Sequence, residues 1–102
     1  MNQYVLNKLP ELITVCEKYP VKSLHLFGSA ITGGFNPESD LDFLVSFNDN
    51  LSIEEYTDSY FSLHEALQAL FQRQIDLITQ KSLSNPYFID EIEQTKQLIY
   101  AA

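Results

Sequence analysis

Five residues of this chain combine types and spacings that could do chemistry: Gly28, Ser29, Asp40, Asp42 and Asp76. In Asp40-Leu41-Asp42 the acids stand two apart, so on a strand both point to one face with Cα atoms roughly 6.5–7 Å apart. Two carboxylates so placed can reach a pair of divalent cations about 3.5–4 Å apart. Acids two apart are common in an acidic chain, and Glu91-Ile92-Glu93 is another such pair. The surroundings distinguish the first. Leu41, Phe43, Val45 and Phe47 are apolar, and so is Leu44 on the other face. Asp40 and Asp42 therefore open a largely buried strand, where like charges are costly unless a cation accompanies them. Asp76 lies inside Gln74-Ile75-Asp76-Leu77-Ile78, a strand-like run in which Asp is disfavoured. A third carboxylate on a neighbouring strand would complete an oxygen-ligand site for hard cations; standing alone, it would be an edge-strand charge that blocks aggregation. Phe27-Gly28-Ser29 supplies a glycine that lets the backbone turn and a ligand approach, and a hydroxyl donor beside it. A helix starting there would offer free N–H groups to a phosphate. No Walker lysine follows, so this is not a P-loop, and no Gly-x-Ser-x-Gly surrounds Ser29, so it is a poor hydrolase nucleophile.

The elements that must position these residues alternate along the chain. Residues 2–18 read as helix, in two pieces because Pro10 suits a first turn. Val21 to Phe27 reads as a buried strand, Gly28 to Gly34 as a turn with a short helix, and Leu41 to Phe47 as a second strand. Ser52-Ile53-Glu54-Glu55 is a capping box. The helix it starts carries an apolar stripe of Tyr56, Tyr60, Leu63, Leu67, Leu70 and Phe71, with Phe61 off the stripe. Ile75 to Thr79 reads as a third strand. Asn85-Pro86 caps a last helix with Phe88, Ile92 and Ile99 on one face. The order αβαβαβα predicts an α/β fold with a three-stranded mixed sheet flanked by helices. The first two strands should run antiparallel, and the second and third parallel across a right-handed helical crossover. All three aspartates should converge beside Gly28-Ser29.

Composition narrows the setting. The 102 residues suit one domain, and 45% apolar content suits a folded one. No apolar run approaches the roughly 18 residues of a membrane helix, so no membrane partner is expected. Lys8 and Glu11 interrupt the region where a signal peptide would need its apolar run. Cys16 is the single cysteine and predicts a reducing, cytoplasmic setting. A net charge of −8 repels nucleic acid, excludes it as the expected partner, and suits metal ions or basic proteins.

Taken together, Gly28-Ser29, ten residues, then Asp40-Leu41-Asp42 resembles the motif of the DNA polymerase beta nucleotidyltransferase superfamily. Leu26 to Ser29 and Asp42 to Val45 look like its smallest branch, the minimal nucleotidyltransferases, and the resemblance covers residues 1–102 as a single nucleotidyltransferase domain. It implies that Gly28 and Ser29 hold the triphosphate of ATP. Asp40 and Asp42 would bridge two Mg²⁺ ions, with Mn²⁺ as a substitute, and Asp76 would share one metal and help activate the acceptor hydroxyl. The implied reaction is transfer of a nucleoside monophosphate, AMP in the first instance, with release of pyrophosphate. Larger members of the superfamily add domains that bind the acceptor, for which 102 residues leave no room. A partner protein is therefore the expected acceptor. In this branch the usual partner is a HEPN-domain protein, often a ribonuclease toxin to which the nucleotidyltransferase is antitoxin. Phe61 is a candidate for the partner surface.

One departure from the family pattern bears on nucleotide binding. Many members read Gly-Ser-Arg-x-Arg-Gly in the loop; here Ala30 and Thr32 stand at the two basic positions. Arg73 is a candidate substitute, set against the plainer expectation of a solvated surface arginine. His25 and His64 have no ligand partner nearby in sequence and read as structural. The rival functions are a binding module that neutralises its partner by contact and a regulator that senses nucleotide without turnover.

Overall fold

The computed structural model describes residues 2–102. Two short helices, α1 (Gln3–Leu6) and α2 (Leu9–Lys18), lead into β1 (Val21–Phe27). Pro10 stands at the start of α2, where its missing N–H breaks no helical bond. A one-turn helix α3 (Ser29–Thr32) is followed by β2 (Leu41–Phe47), α4 (Ile53–Phe71) and β3 (Ile75–Thr79). A 3₁₀ turn (Gln80–Ser82), α5 (Pro86–Thr95) and β4 (Gln97–Ala101) complete the chain. Both expected caps form. The Ser52 hydroxyl accepts from the Glu55 amide while the Glu55 carboxylate accepts from the Ser52 amide, and Asn85 Oδ1 accepts from Tyr87 and Phe88.

The sheet is mixed, in the order β3-β2-β1-β4. As expected, β1 and β2 are antiparallel and β2 and β3 parallel. The fourth strand is a correction: residues 97–101 do not extend the last helix but pair antiparallel with the outer edge of β1. Ile92 and Ile99 lie seven apart, which matches two helical turns as well as it matches a helix followed by a strand. The open edge of β1 decides between them, because its N–H and C=O groups need partners. Ile99 is buried in the main core.

Strand alternation sorts the side chains into two layers. Leu41, Phe43, Val45, Ile75 and Leu77 join Leu12, Cys16, Leu63, Leu67 and Phe71 in a core between the sheet and helices α2 and α4. Phe27 and Leu44 form a smaller cluster on the opposite face with Ile92 of α5. Burial pushes the Cys16 thiol up to about 12, so it behaves as a core residue. Among the described residues no helix is long and apolar enough to cross a membrane.

Candidate active site

Asp42 belongs to the sheet face that α5 covers, because its neighbours Leu41 and Phe43 point into the main core. Asp76 follows the same rule between Ile75 and Leu77. The parallel register makes Asp42 and Asp76 direct partners across β2 and β3, and the antiparallel register sets Asp42 opposite Phe27, the residue before Gly28. Gly28 has φ +78° and ψ −149°, backbone space that only glycine occupies readily. A Cβ there would stand 2.1 Å from Asp42 Oδ2. The turn therefore lies directly against the carboxylate.

Asp76 sits on an edge strand and is held from α4. The Tyr60 hydroxyl donates to Leu77 O at 2.6 Å, and His64 Nε2 donates to Ile75 O at 2.9 Å. These bonds fix the carbonyls on either side of Asp76. His64 is thus structural, as expected. His25, on β1, has its pKa lowered by burial and then by Lys96, and it does not line the site.

A cleft of about 350 Å³ opens here, lined by Phe27, Gly28, Ser29, Thr32, Asp42 and Asp76 on one side and by Phe88, Glu91, Ile92 and Thr95 of α5 on the other. Asp40 lies one residue before β2, exposed and outside this lining. It is still close enough that its charge acts on Asp42. Burial first, then Asp76 and Asp40, push the Asp42 pKa up to about 6, and the protonated form hydrogen-bonds to Asp76. Two carboxylates side by side in a half-buried cleft are a donor set suited to a hard divalent cation, which would offset their repulsion. Asp42 and Asp76, with Asp40 beside them, are the residues that would hold it. Among the described residues no three acidic, His or Cys side chains already stand as a closed cage, so such a cation would need oxygens from its substrate or from water.

The two loop positions diverge. Thr32 is exposed and lines the cleft, with its hydroxyl donating to Gly28 O at 3.2 Å. Ala30 is buried in the main core at 8% exposure. Arg73 is neither a free surface residue nor a lining residue of the cleft. Its guanidinium stacks on Tyr4 and Phe35 at 4.4 and 4.6 Å, and donates to Asn36 O at 3.3 Å and Ser39 O at 3.0 Å. It clamps the loop that delivers Asp40. Phe61 is exposed as expected, edge-on to Tyr60. Sequence reasoning missed the α5 wall, although Phe88, Glu91, Ile92 and Thr95 have the three-and-four spacing of a single helix face.

The sequence pattern of the nucleotidyltransferase domain family matches residues 12–99. The chain belongs to this family. The enzyme class expected of it, a nucleotidyltransferase, is the family's own. MJ1379 of Methanocaldococcus jannaschii, provisionally named a protein adenylyltransferase, is 42% identical over 84 residues, 82% of this chain and 80% of the relative. The fold resembles that of a toxin–antitoxin chain crystallised with AMP-PNP, with TM-score 0.71 and 19% identity over 92% of this chain and 73% of the other. A tri-AMPylated Shewanella oneidensis HEPN toxin in complex with MNT antitoxin gives a further match, with TM-score 0.61 and 20% identity over 100% of this chain and 74% of the other. This nucleotidyltransferase domain thus shares its fold with minimal members of the superfamily, which the four-stranded sheet also fits.

Proposed function

We propose that this domain transfers AMP from ATP to a hydroxyl of a HEPN-domain protein and so serves as the antitoxin of a toxin–antitoxin pair. The observation that carries the proposal is the register that pairs Asp42 with Asp76 beside the Gly28 turn. The names of the relatives support the protein acceptor, and the toxin complexes among structures of this fold support the HEPN partner. A divalent cation, Mg²⁺ or Mn²⁺, would supply charge neutralisation and alignment of the triphosphate. The chain's own residues do the rest. Gly28 lets the phosphates approach the backbone, and Ser29 offers a hydroxyl donor. Asp42 and Asp40 hold the charge that draws the cation. The acceptor oxygen attacks the α-phosphorus, the bond from that phosphorus to the bridging oxygen breaks, and pyrophosphate leaves. The hydroxyl proton passes toward Asp76, the exposed member of the pair.

One observation favours a second reading, a module that acts by contact or nucleotide sensing: among the described residues no lysine or arginine lines the cleft. Intact mass spectrometry of the HEPN partner after incubation with ATP and Mg²⁺ separates the two. A gain of one or more adenylyl units, lost with Asp42→Asn, is expected. A stable complex with no mass gain under any nucleotide would establish the contact module instead.

A further inference from the structure

The edge of the sheet that carries Asp76 is held by two side chains whose chemistry packing alone does not require. β3 is an edge strand, and Gln74 O, just before it, accepts from the Leu41 amide of β2. Successive carbonyls of a strand point to opposite sides, so those of Ile75 and Leu77 turn away from β2 to the open edge. Left there, they would meet water or a foreign strand. Instead α4 meets them. The His64 ring donates to Ile75 O at 2.9 Å and the Tyr60 hydroxyl to Leu77 O at 2.6 Å.

Two periods match in this contact. Tyr60 and His64 stand four apart on α4, about 6 Å along the helix axis. Ile75 and Leu77 stand two apart on β3, about 6.6 Å along the strand. The later helix residue takes the earlier strand residue, as a strand that runs back along its helix requires. The two rings lie stacked, 18° from parallel with centroids 6.4 Å apart, which restrains both donors. Leucine at either half-buried position would fill the space and donate nothing.

Between the two carbonyls lies Asp76, in register with Asp42. The donors take the carbonyls on either side of it from the open edge, while β2 pairs the strand from the other. An edge strand gripped from one side only is free to drift, and a small displacement of a group beside the reacting atoms costs transfer far more than it costs binding. We infer that Tyr60 and His64 are positioning residues for the transfer step, acting through the carbonyls of Leu77 and Ile75 to hold the Asp76 carboxylate where the acceptor hydroxyl must meet it. The inference rests on the transfer reading above and adds two residues outside the cleft on which the rate depends.

Substitutions that delete the donors and keep the bulk test this. Tyr60→Phe removes the hydroxyl alone, and His64→Leu removes the imidazole. At saturating ATP and Mg²⁺, each should slow adenylyl transfer to the HEPN partner about tenfold. Calorimetric affinity for ATP should stay within about twofold of the parent, because Asp42 and the Gly28 turn are untouched. Amide exchange of residues 75–77 should quicken. His64→Gln, which keeps an N–H donor, should recover most of the rate that His64→Leu loses. Assays well below each variant's Tm keep loss of fold out of the comparison. Faster exchange with transfer at the parent's rate would overturn the inference and leave the clamp a guard of the sheet edge. So would transfer and ATP affinity that fall in equal proportion, or His64→Gln as slow as His64→Leu. A parent that binds ATP and modifies no partner would overturn the transfer reading itself, and the positioning role with it.

Discussion

Gly28 and Asp42 touch so closely that a methyl group on one would overlap a carboxylate oxygen of the other, at 2.1 Å. Gly28→Ala therefore meets two penalties, a positive φ that L-residues avoid and a contact that must shift Asp42. The expected cost is about 3 kcal/mol or more, a fall in Tm of roughly 10 °C or more for a domain this size. Thermal denaturation measures it, and a variant as stable as the parent would mean that the turn relaxes freely away from Asp42.

Asp42 makes metal-free stability depend on pH with a definite sign. Its pKa is raised to about 6 in the folded chain, against about 3.9 for an unfolded aspartate. A raised carboxyl supports the fold below its unfolded pKa, and that support is lost as pH rises through the folded value. For a half-exposed group the loss should be about 1–2 kcal/mol between about pH 4 and pH 6.5. Asp42→Asn should flatten this slope in chelator and be the more stable protein near neutral pH. It should also lose the Tm gain that Mg²⁺ with nucleotide gives the parent. Equal stabilisation of parent and variant would remove Asp42 from the ligands.

The loop positions that lack arginine should respond in opposite ways. Thr32 faces the cleft, so Thr32→Arg should tighten triphosphate binding about tenfold, the value of one charge-assisted hydrogen bond. Ala30 is core, so Ala30→Arg should cost stability before it can aid binding. Titration and melting of both variants check the contrast, and identical behaviour would contradict the placement of the two side chains.

Arg73 should act on the loop and not on the phosphates. Arg73→Ala removes two stacked contacts and two hydrogen bonds to Asn36 and Ser39, at a cost of about 1–2 kcal/mol. Amide exchange of residues 36–40 should speed up. Unchanged exchange there would show that the loop holds itself.

Asp76→Ala separates binding from transfer. Asp42 and the Gly28 turn remain, so some nucleotide binding should persist while transfer to the partner falls by at least about a hundredfold. Parallel binding and mass measurements read both quantities. A proportionate loss of each would make Asp76 a binding residue only.

What the sequence by itself determined is local. The Ser52 capping box and the Asn85 cap start α4 and α5 where their side chains can reach the first free amides. Alternating apolar residues in β2 put one face in the core and leave Asp42 on the other. The spacing of Gly28-Ser29 and Asp40-Leu41-Asp42 marked the candidate site for the same reason, since strand period and turn geometry are properties of neighbouring residues. The tertiary structure decided what depends on distant partners. The edge of β1 made residues 97–101 a strand where their own pattern allowed a helix. Packing of Ile92 on Phe27 and Leu44 brought α5 over the carboxylates and turned an edge of the sheet into a cleft. The fates of Ala30, buried, and Arg73, stacked between Tyr4 and Phe35, were also set there. Burial and capture are contacts between residues far apart in the chain, and no local period encodes them.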